Sequence, residues 1–320
     1  MRNHLALLAC TVIIATACSD SSDSSHSAAA QVPLSARYEL SSPDSVPEGV
    51  AFDPQQRAFY TTSLQGGGIV RIDAGGRETV FRAADNRAQV GGTKVDAECR
   101  RLWACAQGVD GGDSRVWVFD LDSAERVMEF FLGAINTNAS CNDLVLNSEG
   151  VAYVTDPANP FLYRLDPDTG VGDILATDPL FRDVTGAGLG LNGIALSPDG
   201  SALIVAVFFP AGLLRVGLPD GDSIEPIALS GDALPSPDGL AVLDGDLYAV
   251  SGDSVSRVRP GPDFRTGEVV NVAQESGLST ATVAESRLYV IKSDVVNYVL
   301  KKPLELPFAI FHVDSGLFGD

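Results

Sequence analysis

A single pattern recurs six times along the chain, and it leaves few folds open. Each copy begins with a small or polar residue, often followed by Gly, and runs into an alternating strand. A turn of Pro, Asp or Gly follows, then a second strand in which an aromatic sits among small residues. The copies begin at Glu48, Gly91, Asn142, Asn192, Asp238 and Ser279, at spacings of 41 to 51 residues. Glu48 to Pro54 with Phe59-Tyr60, and Asn192 to Gly200 with Leu203 to Ala206, are clear examples; the copy at Ser279 is the faintest. A third strand follows in most copies, at 68–72, 114–119, 161–165 and 212–216. A period of this length is that of a four-stranded propeller blade. Six such blades occupy residues 34–320, so the predicted fold is all-β, a single six-bladed β-propeller with a central metal-binding tunnel. Closing the ring needs a strand from each terminus in one blade, because an open ring leaves sheet edges unpaired. Residues 37–40 and 308–313 are the candidates.

The first strand of each propeller blade lines the central channel, so equivalent repeat positions form a ring about the axis. The six ring residues are Glu48, Gly91, Asn142, Asn192, Asp238 and Ser279. Asn, Asp and Gly are common at strand starts because they make local turns, and any one of them means little. Four carboxylate or amide oxygen donors at one repeat position are harder to assign to turn chemistry. Glu48, Asn142, Asn192 and Asp238 are the expected metal ligands. Hard cations take such oxygens, whereas Zn²⁺ favours His and Cys; no His starts a blade. Ca²⁺ is the expected ion, with Mg²⁺ or Mn²⁺ as alternatives.

These residues also carry a resemblance. Glu48-Gly49, Asn142-Asp143, Asn192-Gly193 followed by Ser197-Pro198-Asp199-Gly200, and Pro237-Asp238-Gly239 resemble the SMP-30/gluconolactonase/LRE-like six-bladed propellers, a superfamily that includes paraoxonases and squid-type diisopropylfluorophosphatases. The likeness runs from about residue 45 to 290. It implies direct Ca²⁺ ligation by Glu48, Asn192 and Asp238, with Asn142 as ligand or substrate-positioning residue. It also implies metal-assisted hydrolysis of a lactone or ester, with Asp238 as general base or nucleophile and Asn142 beside it in the catalytic set. The chain departs from sugar lactonases in having Thr137 to Cys141, without Arg, ahead of Asn142. It departs from paraoxonases in having only His4, His26 and His312, and Gly49 after the first-blade Glu. Asp143 reads as a strand-start hydrogen-bond acceptor. A non-catalytic binding scaffold of the cell envelope is the alternative function.

The termini and the charge set the context. Arg2 and the uncharged stretch Leu5 to Ala17 have the form of an export signal too short to span a bilayer. The stretch ends in Ala15-Thr16-Ala17-Cys18, similar to a bacterial lipobox, so residues 1–17 are expected to be a lipoprotein signal peptide and Cys18 the lipidated residue. The alternative is an ordinary signal cut near Ala28 to Ala30. Residues 18–33, rich in Ser and Ala, read as a flexible tether. The expected location is the bacterial cell envelope, lipid-anchored at the outer membrane or periplasmic, with membrane contact only through that anchor. Of the five Cys, removal of Cys10 and lipidation of Cys18 leave Cys99, Cys105 and Cys141. Cys99 and Cys105 lie too far apart along one strand to bridge, whereas Cys105 and Cys141 fall at the same end of adjacent blades and are the expected disulfide. With 22 basic against 42 acidic residues, a net charge of −20 repels phosphate backbones and excludes nucleic acid as a partner. A monomer acting on a small-molecule substrate is expected.

Overall fold

The computed structural model describes residues 31–43, 45–109, 113–183, 185–186 and 189–313. The expected signal peptide, Cys18 and most of the tether lie outside the described residues. No helix among the described residues is long and apolar enough to cross a membrane.

Six sheets follow one another in chain order, antiparallel except for one strand pair in blade 5. The innermost strands are Pro47–Asp53, Ala88–Asp96, Leu144–Leu146, Leu191–Leu196, Leu240–Leu243 and Leu278–Ala284, in blades 1 to 6. Blade 6 is closed by both termini: Ala309–His312 is its third strand and Arg37–Glu39 its outermost. Blade 5 departs from the four-stranded expectation. The link from blade 4 adds Ala228–Gly231 as a fifth strand, parallel to Thr266–Gln274.

The core is divided into wedges between neighbouring blades, with one hydrophobic cluster at each of the six junctions. This explains the repeated aromatic in the second strand. Tyr60, Trp103, Tyr153, Tyr248 and Tyr289 are all buried and fill the wedges where adjacent sheets diverge. Cys105, on the second strand of blade 2, is joined to Cys141, which precedes the innermost strand of blade 3. The disulfide thus spans one of these junctions.

Candidate active site in the central tunnel

One local device places the ring residues. In every blade two consecutive residues in or just before the innermost strand lie opposite one residue of the second strand. Glu48-Gly49 lie opposite Thr62, Gly91-Gly92 opposite Cys105, Asn192-Gly193 opposite Ala206 and Ser279-Thr280 opposite Ile291. In blades 3 and 5, paired backbone hydrogen bonds set Asn142-Asp143 against Thr155 and Asp238-Gly239 against Val250. Such a two-against-one bulge twists the strand locally and re-aims its side chains.

The ring side chains enclose a cavity of about 10 Å³, lined by Glu48, Asn142, Asn192 and Asp238 together with Lys94, Asp143 and Thr280. That volume suits one ion or one water. The two remaining ring positions do not line it. Gly91 makes room, since a Cβ there would lie 3.2 Å from Glu48 Oε2. Ser279 turns its hydroxyl to donate to the Glu48 carbonyl at 3.1 Å.

Buried polar atoms in this cavity lack partners. Glu48 Oε2, Asp143 Oδ2, Asn192 Oδ1 and Thr280 Oγ1 are sealed from solvent without a hydrogen bond, although Glu48 as a whole residue is only half-buried. Unmatched buried oxygens are costly, and here they converge on one small space. Burial, reinforced by the Asp238 and Asp143 charges, raises the Glu48 carboxyl well above the usual carboxylate range. Asp238 is pushed up to about 7 by burial and the Asp143 charge, against the lowering effect of a hydrogen bond with the Asn192 side chain.

Lys94 and Asp143 belong to the site more closely than the sequence indicated. Lys94 Nζ lies 3.4 Å from Asp143 Oδ1, which also accepts from the Leu144 N–H at 2.8 Å. The strand-start role expected of Asp143 is therefore present, but its other oxygen faces the cavity. Lys94 follows the Gly-Gly bulge, and that break in alternation hid its direction. His312 lies on the third strand of blade 6 with its ring 5.6 Å from Tyr289, and it does not line the cavity.

The donor set fits a hard divalent cation. Three carboxylates and one ammonium leave a charge of −2, and Asn142 and Asn192 add neutral amide oxygens. Among the described residues no three His, Cys, Asp or Glu side chains make a metal cluster by themselves.

No protein-family model matches the chain. Lactonase drp35 of Staphylococcus haemolyticus is 25% identical over 244 residues, covering 72% of this chain and 71% of that protein. Among solved structures, the allergen Mala s 1 of Malassezia sympodialis superposes with a TM-score of 0.70 at 15% identity, over 88% of this chain and 97% of its own. The gluconolactonase XC5397 of Xanthomonas campestris superposes with a TM-score of 0.62 at 20% identity, over 84% and 86%. Both likenesses are of fold. The chain is a six-bladed β-propeller and a homologue of lactonase drp35.

Proposed function

We propose that the chain is a Ca²⁺-dependent hydrolase of lactones or related esters, with Glu48, Asn142, Asn192 and Asp238 holding the ion. The observation that carries this reading is the set of unpartnered, buried oxygens around an ion-sized space whose lining sums to −2. The sequence relationship to a lactonase supports the choice of substrate class. When bound, the cation supplies charge stabilisation to a carbonyl oxygen that becomes negative in the transition state.

The remaining work falls to the chain's own groups. The space is too small for a lactone, so the substrate lies at the mouth of the ring with its carbonyl directed inward. Asp238 takes the proton from an attacking water, or attacks the carbonyl itself. Asn192 orients the Asp238 carboxylate by hydrogen bonding, and Asn142 positions substrate. Lys94 offsets the Asp143 charge beside the reacting groups.

The disulfide supports an exported, oxidising location, in keeping with an envelope lipoprotein anchored through Cys18. The decisive experiment is hydrolysis of a panel of lactones and aryl esters with added Ca²⁺ or with chelator. Turnover of a lactone that chelator abolishes and Ca²⁺ restores is expected. Turnover unaffected by complete metal removal would refute the metal role, and inactivity on the whole panel would favour a binding scaffold.

A further inference from the structure

A second cavity lies at the outer rim between blades 1 and 2 and shares no lining residue with the tunnel site. It measures about 920 Å³, the size of a small-molecule pocket. Four arginines line it: Arg82 at the end of blade 1, Arg87 in the link, and Arg115 and Arg126 on the outer strands of blade 2. In a chain of net charge −20, this concentration is out of keeping with the rest of the surface.

Three of the four guanidinium groups are held rather than loose. Arg82 and Arg126 both lie over the Trp117 ring, at 4.5 and 5.4 Å from its centroid, and Arg115 lies over Phe131 at 4.6 Å. Stacking occupies the flat faces of these three guanidinium groups, and their N–H edges are engaged by carboxylates, with backbone carbonyls also on Arg82. Ion pairs brace three of them: Arg82 with Asp85, Arg115 with Asp113 and Glu129, and Arg126 with Glu129. That is three carboxylates for four cations, and Arg87 makes no ion pair among the described residues. Trp117 adds an unused donor: it is 6% exposed, and its Nε1–H is buried with no acceptor.

We propose that this cleft is a binding site for a small soluble oxyanion, a carboxylate or phosphate ester on a compact organic body. The anion would take the forked edge of Arg87, where bidentate pairing gives strength and direction, and share Arg115 Nη2 with the exposed Asp113, 3.2 Å away. Trp117 lies beneath Arg82 and Arg126 at the base of the cleft. The tunnel site plays no part in this binding.

Two tryptophans simplify the test, because Trp103 is fully buried between blades 2 and 3. The protein as purified is titrated with inorganic phosphate, glucose 6-phosphate and succinate, with glucose as the neutral control, following tryptophan fluorescence and the thermal midpoint. At least one anion should give a saturable response in both, and the comparison tells phosphate from carboxylate preference. W117F should lose the fluorescence response and weaken the thermal one, because the ring under Arg82 and Arg126 is changed. R87Q and R115Q should each weaken binding by roughly tenfold or more, the loss of a charge-assisted hydrogen bond. Arg87 is exposed and outside any strand, so its variant keeps the fold. The proposal is overturned if none of the anions gives a saturable response at millimolar concentration. It is equally overturned if R87Q and R115Q both bind like the wild type, which would leave the arginines as a rim of ion pairs.

Discussion

Replacing Cys105 and Cys141 together by Ser tests how the tunnel is held in shape. The bond closes a segment with a sequence separation of 36. In the chain-entropy description, freeing a loop of that length stabilises the unfolded state by about 4 kcal/mol. For a domain of this size each kcal/mol is worth a few degrees, so the melting temperature should fall by roughly 8–15 °C. The consequence is not only global. Cys105 is the residue opposite the Gly91-Gly92 bulge, and Cys141 immediately precedes Asn142, so the bond ties together two of the six bulges that build the ring. Calcium affinity should therefore weaken more than that of a variant destabilised elsewhere to the same extent. The measurements are thermal melts in chelator and in saturating Ca²⁺, with calcium titration of the folded protein; C99S, outside the bridge, serves as control. A double-Ser variant that melts within about 2 °C of the wild type, with unchanged calcium affinity, would refute both the loop argument and the tie between bulges.

Four further outcomes follow from the tunnel geometry. D238N retains an oxygen donor but no proton acceptor, so at saturating Ca²⁺ its turnover should still fall by roughly 10²–10⁴-fold; full turnover would reduce Asp238 to a ligand. E48Q should change sign with conditions: more stable than wild type in chelator, because one of three crowded carboxylates is neutralised, and less stable in Ca²⁺, because ion binding to the native state is weakened. The metal-free wild type should also lose stability as pH rises from about 4 through about 7, since Asp238 and Glu48 hold protons more tightly folded than unfolded, and a flat profile by chemical denaturation would contradict the crowding. G193A would place a Cβ 2.2 Å from the Asp238 carbonyl, an overpacking that should cost about 1–3 kcal/mol or more and weaken metal binding; a melting curve and calcium affinity like the wild type's would show that the blades can part at no cost.

Much of this site was legible because repetition separates position from composition. A lone Asn192-Gly193 reads as a turn, but the same slot filled by Glu48, Asn142 and Asp238 reads as a ring. The reason for the second residue was not legible. Gly49, Gly92, Gly193 and Gly239 suggest turn chemistry, yet none is in the left-handed region. Each is Gly because the next blade passes against it, with a Cβ falling 2.1–2.5 Å from an atom of that blade. Lys94 and Asp143 were obscured for a related reason. A bulge adds one residue to a strand, so simple alternation assigns the wrong face to everything beyond it. The fifth strand of blade 5 was hidden because a parallel strand needs no hairpin signal, and Ala228–Gly231 has neither a turn before it nor an alternating run.

The bulges also explain how one scaffold can carry different chemistry at each blade. The carbonyl of the first ring residue in every blade accepts a hydrogen bond from the blade before it. Gly92, Gly193 and Gly239 donate their backbone N–H to the carbonyls of Asn142, Asp238 and Ser279, at 2.9, 2.7 and 3.0 Å. Thr62 and Thr155 donate their hydroxyls to Gly91 and Asn192, both at 2.7 Å, and Ser279 completes the circle through Glu48. Six bonds join the blades head to tail around the axis, and every acceptor is a backbone carbonyl. Closure therefore makes no demand on the side chain at the first ring position in five blades, and uses it only at Ser279. In those five blades the residue is free to be Gly, Asn, Asp or Glu without breaking the circle. A set of oxygen donors gathered there is costly to bury and unnecessary for closure, and the proposed cation would account for it.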